Sequence, residues 1–488
     1  MTVIGMDVGT TGTKAIVVDE NGKVLGQGYG EYELIALGGG AIEQRADDWW
    51  NAGVKAVREA TRGLDTEEIV ALSISTQGGT MLPVDEDFRP MRDALTWMDS
   101  RSKAECAELK AIAGEENIYH KTGWGASPGN DASKTIWIRK NEPEIFKNAK
   151  SFVSTLEYMN FKLTGQNVID PTNGAMRGMI DINTMQWDDE ILAAVGLTKD
   201  RLPEILPTGA LIGTLTDAAS EELGIPKSVK VYNGAHDQYC AAIGCGALES
   251  GDMFLSTGTT WVVLGVTDHA VYSPTRIAPG IHPAGGYGVM ASMKSAGSAL
   301  KWLKNTLCID DYKVLDEEAA KRMYSAEGIL YYPFMAGSGF PHRLDSLFSG
   351  PIGLQLHHDR YDLARALMEG VAFEARTIVD EFARTGVPVT TLKMMGGASK
   401  SKLWSEITGY ATGCRILCMK ESETCALGAA IIASVNAGIS ASYKDACDRF
   451  VRFEELCLDD AEKRAFYENK YKKYSELLSA IKGVVKQW

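Results

Sequence analysis

Asp7, Gly9, Thr10, Thr11, Gly12 and Lys14 have the types and spacing of a turn that can hold phosphate. Val3, Ile4, Met6 and Val8 precede it and Ala15, Ile16, Val17 and Val18 follow, so the turn joins two short strands. Glycine lets the backbone come close to an anion, successive amides form a nest, and the hydroxyls of Thr10 and Thr11 add neutral donors. A carboxylate at Asp7 can hold the waters of a magnesium ion, and Lys14 can set a point charge near the β and γ oxygens of a triphosphate. Taken alone, Gly9 to Gly12 also reads as a plain hairpin turn and Asp7 as its cap.

A similar phrase, Ser256, Thr257, Gly258, Thr259 and Thr260, lies near the middle of the chain between the apolar runs Met253–Leu255 and Trp261–Leu264. Two such turns facing one another can grip one polyphosphate. A third glycine turn, Gly396 and Gly397 running to Ser401, follows an apolar strand and precedes a helix containing Trp404. Free amides and the dipole at a helix start favour an anion, which makes this turn a candidate seat for the nucleotide. Its spacing is not that of a P-loop.

Asp237 supplies a different chemistry. Val231 and Tyr232 lead through Gly234 and Ala235 to His236, Asp237 and Gln238, and the small residues Ala241, Ala242 and Gly244 follow. Asp237 therefore sits at the start of a closely packed helix. There it can accept the proton of a hydroxyl that attacks phosphorus, or it can cap the helix; the spacing allows both. His236 is a candidate for substrate contact, although a sequence neighbour expected to face away from Asp237 is also a structural residue.

The elements that must position these groups repeat. Strand, turn and strand recur about halfway along 488 residues, which predicts two related α/β halves, 1–247 and 248–488, with the boundary near Leu248–Asp252. Asn21 and Gly22 predict a hairpin turn into a third strand. Helical periodicity runs from Trp49 to Ala60, Asp362 to Phe382 and Lys402 to Thr412, with a closing helix over about Asp459 to Lys482, and Ile69–Ile74 and Leu392–Met395 read as buried strands. With 50 Lys and Arg against 64 Asp and Glu, the net charge of −14 supplies no cationic field for nucleic acid or an anionic membrane. No apolar run reaches the roughly 20 residues of a membrane span and no leader opens the chain, so a cytoplasmic location is expected. The nine cysteines lack zinc-knuckle spacing and read as reduced thiols.

Taken together, the motifs resemble the FGGY carbohydrate kinase family, and within it the xylulokinase-like members, over nearly the whole chain. The resemblance rests on Asp7 to Lys14, Glu43 and Gln44 with Trp49 and Trp50, Trp97 to Arg101, Lys134 to Trp137, Gly234 to Gln238, Ser256 to Thr260, Gly353 and Leu354, Glu369 and Gly370, Gly396 to Ala398, and Ala426 to Ala430. It implies a duplicated actin- and hexokinase-like (ribonuclease H-like) fold with an interdomain cleft, magnesium and ATP, and a small sugar or polyol as acceptor. It also admits a homodimer. Position by position, Asp237 matches the base and Asp7 the metal-associated aspartate. Gly9, Thr10, Thr11, Lys14, Gly258, Thr259 and Thr260 match the phosphate turns, and Gly396, Gly397 and Ser401 the nucleotide region. Gln77, Gly78, Trp97, Asp99, Arg101 and His236 fall on the sugar side. From residue type, Trp97 reads equally as a core residue and Arg101 as an ion-pair partner of Asp99.

The departures lie on that sugar side. Xylulokinases usually read Gln-Met-His-Gly where this chain has Gln77, Gly78, Gly79 and Thr80, and glycerol kinases read Asn-Gln-Arg-Glu. Ser338 stands where xylulokinases commonly carry glutamate, and Ser349 replaces an arginine before Gly350. Fewer side chains at the sugar floor point to a bulkier or differently shaped acceptor, with xylulose the nearest label. A nucleotide-driven binding module of the same fold would need neither Asp237 nor the Trp97 to Arg101 edge, and intact Asp7 and Asp237 argue against a silent sugar sensor.

Overall fold

In a computed structural model, residues 1–342, 348–387 and 389–485 are described. The chain forms two compact units. The first comprises Met1–Leu248, Ala278–Gly288 and Glu423–Val451, and the second Glu249–Ile277, Val289–Ser422 and the chain from Arg452. A single division after residue 247 follows chain order, whereas packing returns 278–288 and 423–451 to the first unit.

The first unit is built on β1 (Thr2–Val8), β2 (Gly12–Asp19), β3 (Val24–Glu31), β4 (Ile69–Thr76), β5 (Leu211–Thr214) and β6 (Lys230–His236), in the sheet order β5-β6-β4-β1-β2-β3. β1, β2 and β3 form an antiparallel meander, with Gly22 at φ +80° in the turn that Asn21-Gly22 predicts. β4 pairs parallel with β1 and with β6. Ile4, Met6 and Val8 are fully buried in a sheet covered on both faces, which is why β1 reads as a continuous apolar run. In register, Asp7 stands opposite Lys14 on one side and Ser75 on the other.

The helix Asp237–Gly244 follows β6, and the helix Thr424–Asn436 packs against it and against β1. Small residues set how closely they meet. A Cβ added at Gly5 would lie 1.9 Å from the Ala426 carbonyl oxygen, one at Gly244 2.0 Å from that of Thr424, and one at Gly428 1.9 Å from that of Cys240.

The second unit repeats the pattern with β7 (Asp252–Thr257), β8 (Trp261–Thr267), β9 (Tyr287–Met293), β10 (Thr391–Gly396), β11 (Arg415–Met419) and β12 (Phe453–Glu455), which neighbour one another in the order β9-β8-β7-β10-β11-β12. β7 and β8 are antiparallel, β7 with β10 and β10 with β11 are parallel, and β12 closes antiparallel on β11. These are the directions of β1 with β2, β1 with β4, β4 with β6, and β5 on β6, so the duplication expected from the two Gly-Thr-Thr turns extends to whole sheets. The fold is the two-domain α/β architecture that the resemblance implies.

The long helix Arg360–Arg384 carries the buried Glu369, which accepts from Arg365 Nε at 2.7 Å and from Lys470 Nζ at 2.6 Å. Lys470 belongs to the helix Ala461–Val485, so Glu369 ties that closing helix into the unit. Among the described residues no helix is long and apolar enough to cross a membrane.

Replacing Gly428 by valine forces a branched side chain against the Cys240 carbonyl. Overpacking of this kind costs about 1–3 kcal/mol, and a lowered apparent melting temperature of the purified protein is expected.

Candidate active site

The ends of β1, β4 and β6 bring one set of groups together in the first unit. Asp7 is partly buried and accepts from Ser75 Oγ at 2.8 Å. Burial and the negative charge of Asp237 push its carboxyl up to about 7, against the opposing effects of the Ser75 hydroxyl and Lys14. Lys14 Nζ lies 2.6 Å from Glu423 Oε2, and the Glu423 carboxylate with Asp7 raises its ammonium above the ordinary value despite the lowering effect of burial. Glu423 precedes the helix Thr424–Asn436, so the segment that rejoins the first unit also delivers the partner of Lys14.

The turn itself is braced from behind. Gly9 N donates to the Gly12 carbonyl at 3.0 Å, and Tyr32 Oη donates to the Gly9 carbonyl at 2.6 Å. Gln44 Nε2 donates to the Thr10 carbonyl at 2.6 Å, while Gln44 Oε1 accepts from Gln77 Nε2 at 2.8 Å. Gln77 thus supports the turn through Gln44. Trp97 is 47% exposed and its Nε1 donates to Thr10 Oγ1 at 3.2 Å, which overturns the core reading of this residue. Asp99 and Arg101 form an ion pair at 2.8 Å; Arg101 also reaches Glu43 at 2.7 Å and lies over the Trp137 ring at 4.9 Å. The ion-pair reading of Arg101 therefore holds, whatever else it contacts.

Asp237 is the first residue of its helix, not the cap. His236 caps it, its Nδ1 accepting from Gln238 N at 3.4 Å. The expectation that His236 faces away from Asp237 is also corrected: His236 Nε2 lies 3.2 Å from Asp237 Oδ1. Its extended backbone, φ −59° and ψ 143°, and the clearance over Gly78 allow the ring to fold back beside the carboxylate.

Lys134 belongs to a motif whose site role the sequence does not reveal. It is fully buried, donates to the Gly79 carbonyl at 2.6 Å, and is lowered by burial to about 8 against the favourable charges of Asp131 and Asp99. A lysine at a fixed interval before Trp137 is the signal that could have marked it.

The second unit holds the other set. Thr257 Oγ1 donates to the Met395 carbonyl at 2.5 Å and accepts from Ala398 N at 3.1 Å and Ser399 N at 3.3 Å, which fixes the Gly396 to Ser399 turn to the end of β7. The helix Gly297–Thr306 is joined to the Gly258 to Thr260 turn by Ser298 N donating to the Thr259 carbonyl at 3.0 Å. Ser401 caps the helix Lys402–Thr412, accepting from Trp404 N at 3.0 Å.

A cavity of about 960 Å³ opens among these elements, lined by Gly258, Thr259, Gly397, Ser401, Lys301, Lys400, Trp302, Tyr312 and Asp316, among others; Thr260 and Gly396 stand outside the lining. Burial raises the Asp316 carboxyl, against the lowering effect of its bond with Ser401. This size suits a nucleoside-sized ligand, and backbone amides, lysines and aromatic faces suit a polyphosphate with a planar base.

Comparison with known proteins settles the class. Residues 2–244 match the N-terminal domain of the FGGY family of carbohydrate kinases and residues 253–437 its C-terminal domain. The chain belongs to the FGGY family of carbohydrate kinases. It is 27% identical over 492 residues to the xylulose kinase of Bacillus subtilis, covering 99% of this chain and 96% of that protein. Two crystal structures are each 25% identical to this kinase. The xylulose kinase of Rhodospirillum rubrum superposes with a TM-score of 0.92, covering 100% of both chains. The gluconate kinase of Lactobacillus acidophilus gives 0.91, covering 98% of both.

The raised carboxyl at Asp7 carries a stability signature. Its folded value of about 7 exceeds the ordinary 3.8. The ligand-free fold is therefore penalised above pH 7, and the penalty fades as pH falls through 7 toward 4. Asp7→Asn is expected to raise the melting temperature of the nucleotide-free kinase at pH 8 more than at pH 5, measured by scanning calorimetry at both values.

Proposed function

We propose that this FGGY kinase transfers the γ-phosphoryl group of ATP to a hydroxyl of a small sugar, with a ketopentose such as xylulose as the leading acceptor. The observation that carries the reading is Asp237. Its carboxylate is 27% exposed at a helix start and is coupled to a second carboxylate at the end of β1. In this reading the hydroxyl oxygen attacks the γ-phosphorus in line as its proton passes to Asp237, and ADP leaves as the bond to the bridging oxygen breaks.

Asp7 and Asp237 bring negative charge into one corner, and this donor set fits a hydrated magnesium ion, which usually takes one or two carboxylates together with phosphate oxygens. Bound there, magnesium supplies neutralisation of phosphate charge. The amides of the Gly9 to Thr11 turn suit phosphate oxygens, as do those of the Gly258 to Thr260 turn in its own unit, and Lys14 exchanges its contact with Glu423 for one with phosphate. The Gly396 to Ser401 turn and its cavity support a seat for the nucleoside. Trp97, Gln77 and Gly78 belong to the acceptor side, with Asp99 and Arg101 stiffening its edge. Cytoplasmic residence and a homodimer are the states expected of such an enzyme.

The xylulose kinase relatives support xylulose. A second acceptor class, another sugar, sugar acid or polyol, is favoured by Gly78 and Gly79, which leave the floor without the side chains xylulokinases carry there, and by the gluconate kinase neighbour. Membership of a carbohydrate kinase family leaves the nucleotide-driven binding module without support.

A coupled assay of ADP release across ketopentoses, ketohexoses, sugar acids, deoxy sugars, tetritols and glycerol tests the reading: low basal hydrolysis and strong stimulation by one acceptor class are expected. Asp237→Ala should lose at least about 10²-fold of that stimulated rate, the lower end of what a general base contributes, while ATP still binds by titration calorimetry. Full turnover in that variant would remove Asp237 from the role of base.

A further inference from the structure

Asp237 Oδ1 accepts a hydrogen bond from Gln238 Nε2 at 3.2 Å, and His236 Nε2 approaches the same oxygen to 3.2 Å. The Gln238 backbone N–H points at His236 Nδ1, which makes that nitrogen the acceptor and leaves Nε2 to carry the proton, in close contact with the carboxylate. No donor among the described residues engages Asp237 Oδ2.

The imidazole is 6% exposed, against 27% for the carboxylate it holds, and Thr172 Oγ1 accepts from the His236 backbone N at 2.8 Å. One further feature makes room for the ring. A Cβ at Gly78 would lie 2.4 Å from His236 Cδ2 and 2.8 Å from Nε2, so the imidazole occupies space that any other residue at 78 would take.

We propose that His236 is a positioning residue for Asp237: by holding Oδ1 it turns Oδ2 toward the acceptor hydroxyl, and Gly78 is the clearance that admits it. The inference rests on the reading of Asp237 as the base. His236 acts through the carboxylate and does not bind the sugar. The glycine that removes a side chain from the sugar floor and the histidine beside the base are thus two halves of one device. A base must lie within hydrogen-bond reach of the proton it takes, so a carboxylate free to rotate loses part of the roughly 10²–10⁴-fold that base catalysis contributes.

The test measures kcat and KM for the acceptor that wild type turns over fastest, in His236→Ala, His236→Gln, Gly78→Ala and the double variant Gly78→Ala/His236→Ala. Expected are a fall in kcat of about 10-fold or more for His236→Ala, with acceptor KM changed by less than about threefold. His236→Gln, whose amide can donate from a similar reach, recovers most of the loss. Gly78→Ala lowers kcat by displacing the ring, and the double variant loses about what either single variant loses, because both remove the same contact.

A raised KM with kcat intact would make His236 a sugar contact and overturn the proposal. So would unchanged kcat in His236→Ala, a glutamine variant no better than alanine, or losses that multiply. Should His236→Ala fail to fold by thermal melting, an unchanged kcat in Gly78→Ala still overturns it. Asp237→Asn, measured alongside, separates the two readings. Full turnover there removes the base itself, whereas its inactivity with normal kcat in His236→Ala removes only the positioning role.

Discussion

Holding two carboxylates near one another in a partly buried corner is costly, because each loses water and each repels the other, and much of the first unit is arranged around Asp7 and Asp237. β1 and β6 flank β4, which sets the ends that carry the two acids in the same corner. Ser75 and Lys14 offset part of the cost from the neighbouring strands. What the protein leaves uncompensated is expressed as the raised carboxyl of Asp7, pushed up to about 7.

The second unit uses the same sheet for a different purpose. Where the first unit has acids, β7 and β10 end in Thr257 and Gly396, neutral groups joined by hydroxyl and amide contacts. Thr257 Oγ1 serves as donor and as acceptor, which leaves the Gly397 to Ser401 turn rigid beside its cavity. One duplicated scaffold therefore presents a charged strand end in one copy and an amide-rich one in the other.

The parts legible in the sequence are those set by neighbours in the chain. Apolar runs on either side of Gly9 to Gly12 and of Gly258 to Thr260 dictate strand, turn and strand, and Asn21-Gly22 dictates the hairpin that follows. Lys402 to Thr412 shows its helix through periodicity alone. Contacts between distant segments were hidden: Glu423 gives no sign of Lys14, and Gln44 gives no sign that it links Gln77 to Thr10. The direction of His236 is not legible along the chain because the space its ring enters belongs to Gly78, on another strand's exit. A side chain's direction depends on the volume its partners leave, and a linear reading does not contain that volume.

The return of Glu423–Val451 to the first unit also bears on how the protein is made. β1 leaves the ribosome well before the helix that covers Gly5 and packs on Asp237–Gly244, which is translated only after most of the second unit. Until then the nascent first unit exposes an apolar seam, and its final closure waits on synthesis of most of the second unit. Domain-by-domain folding during synthesis, the usual course for large proteins, is not open to it in simple form. The nascent first unit would have to be shielded by chaperones, or stay loosely packed, until that late helix arrives.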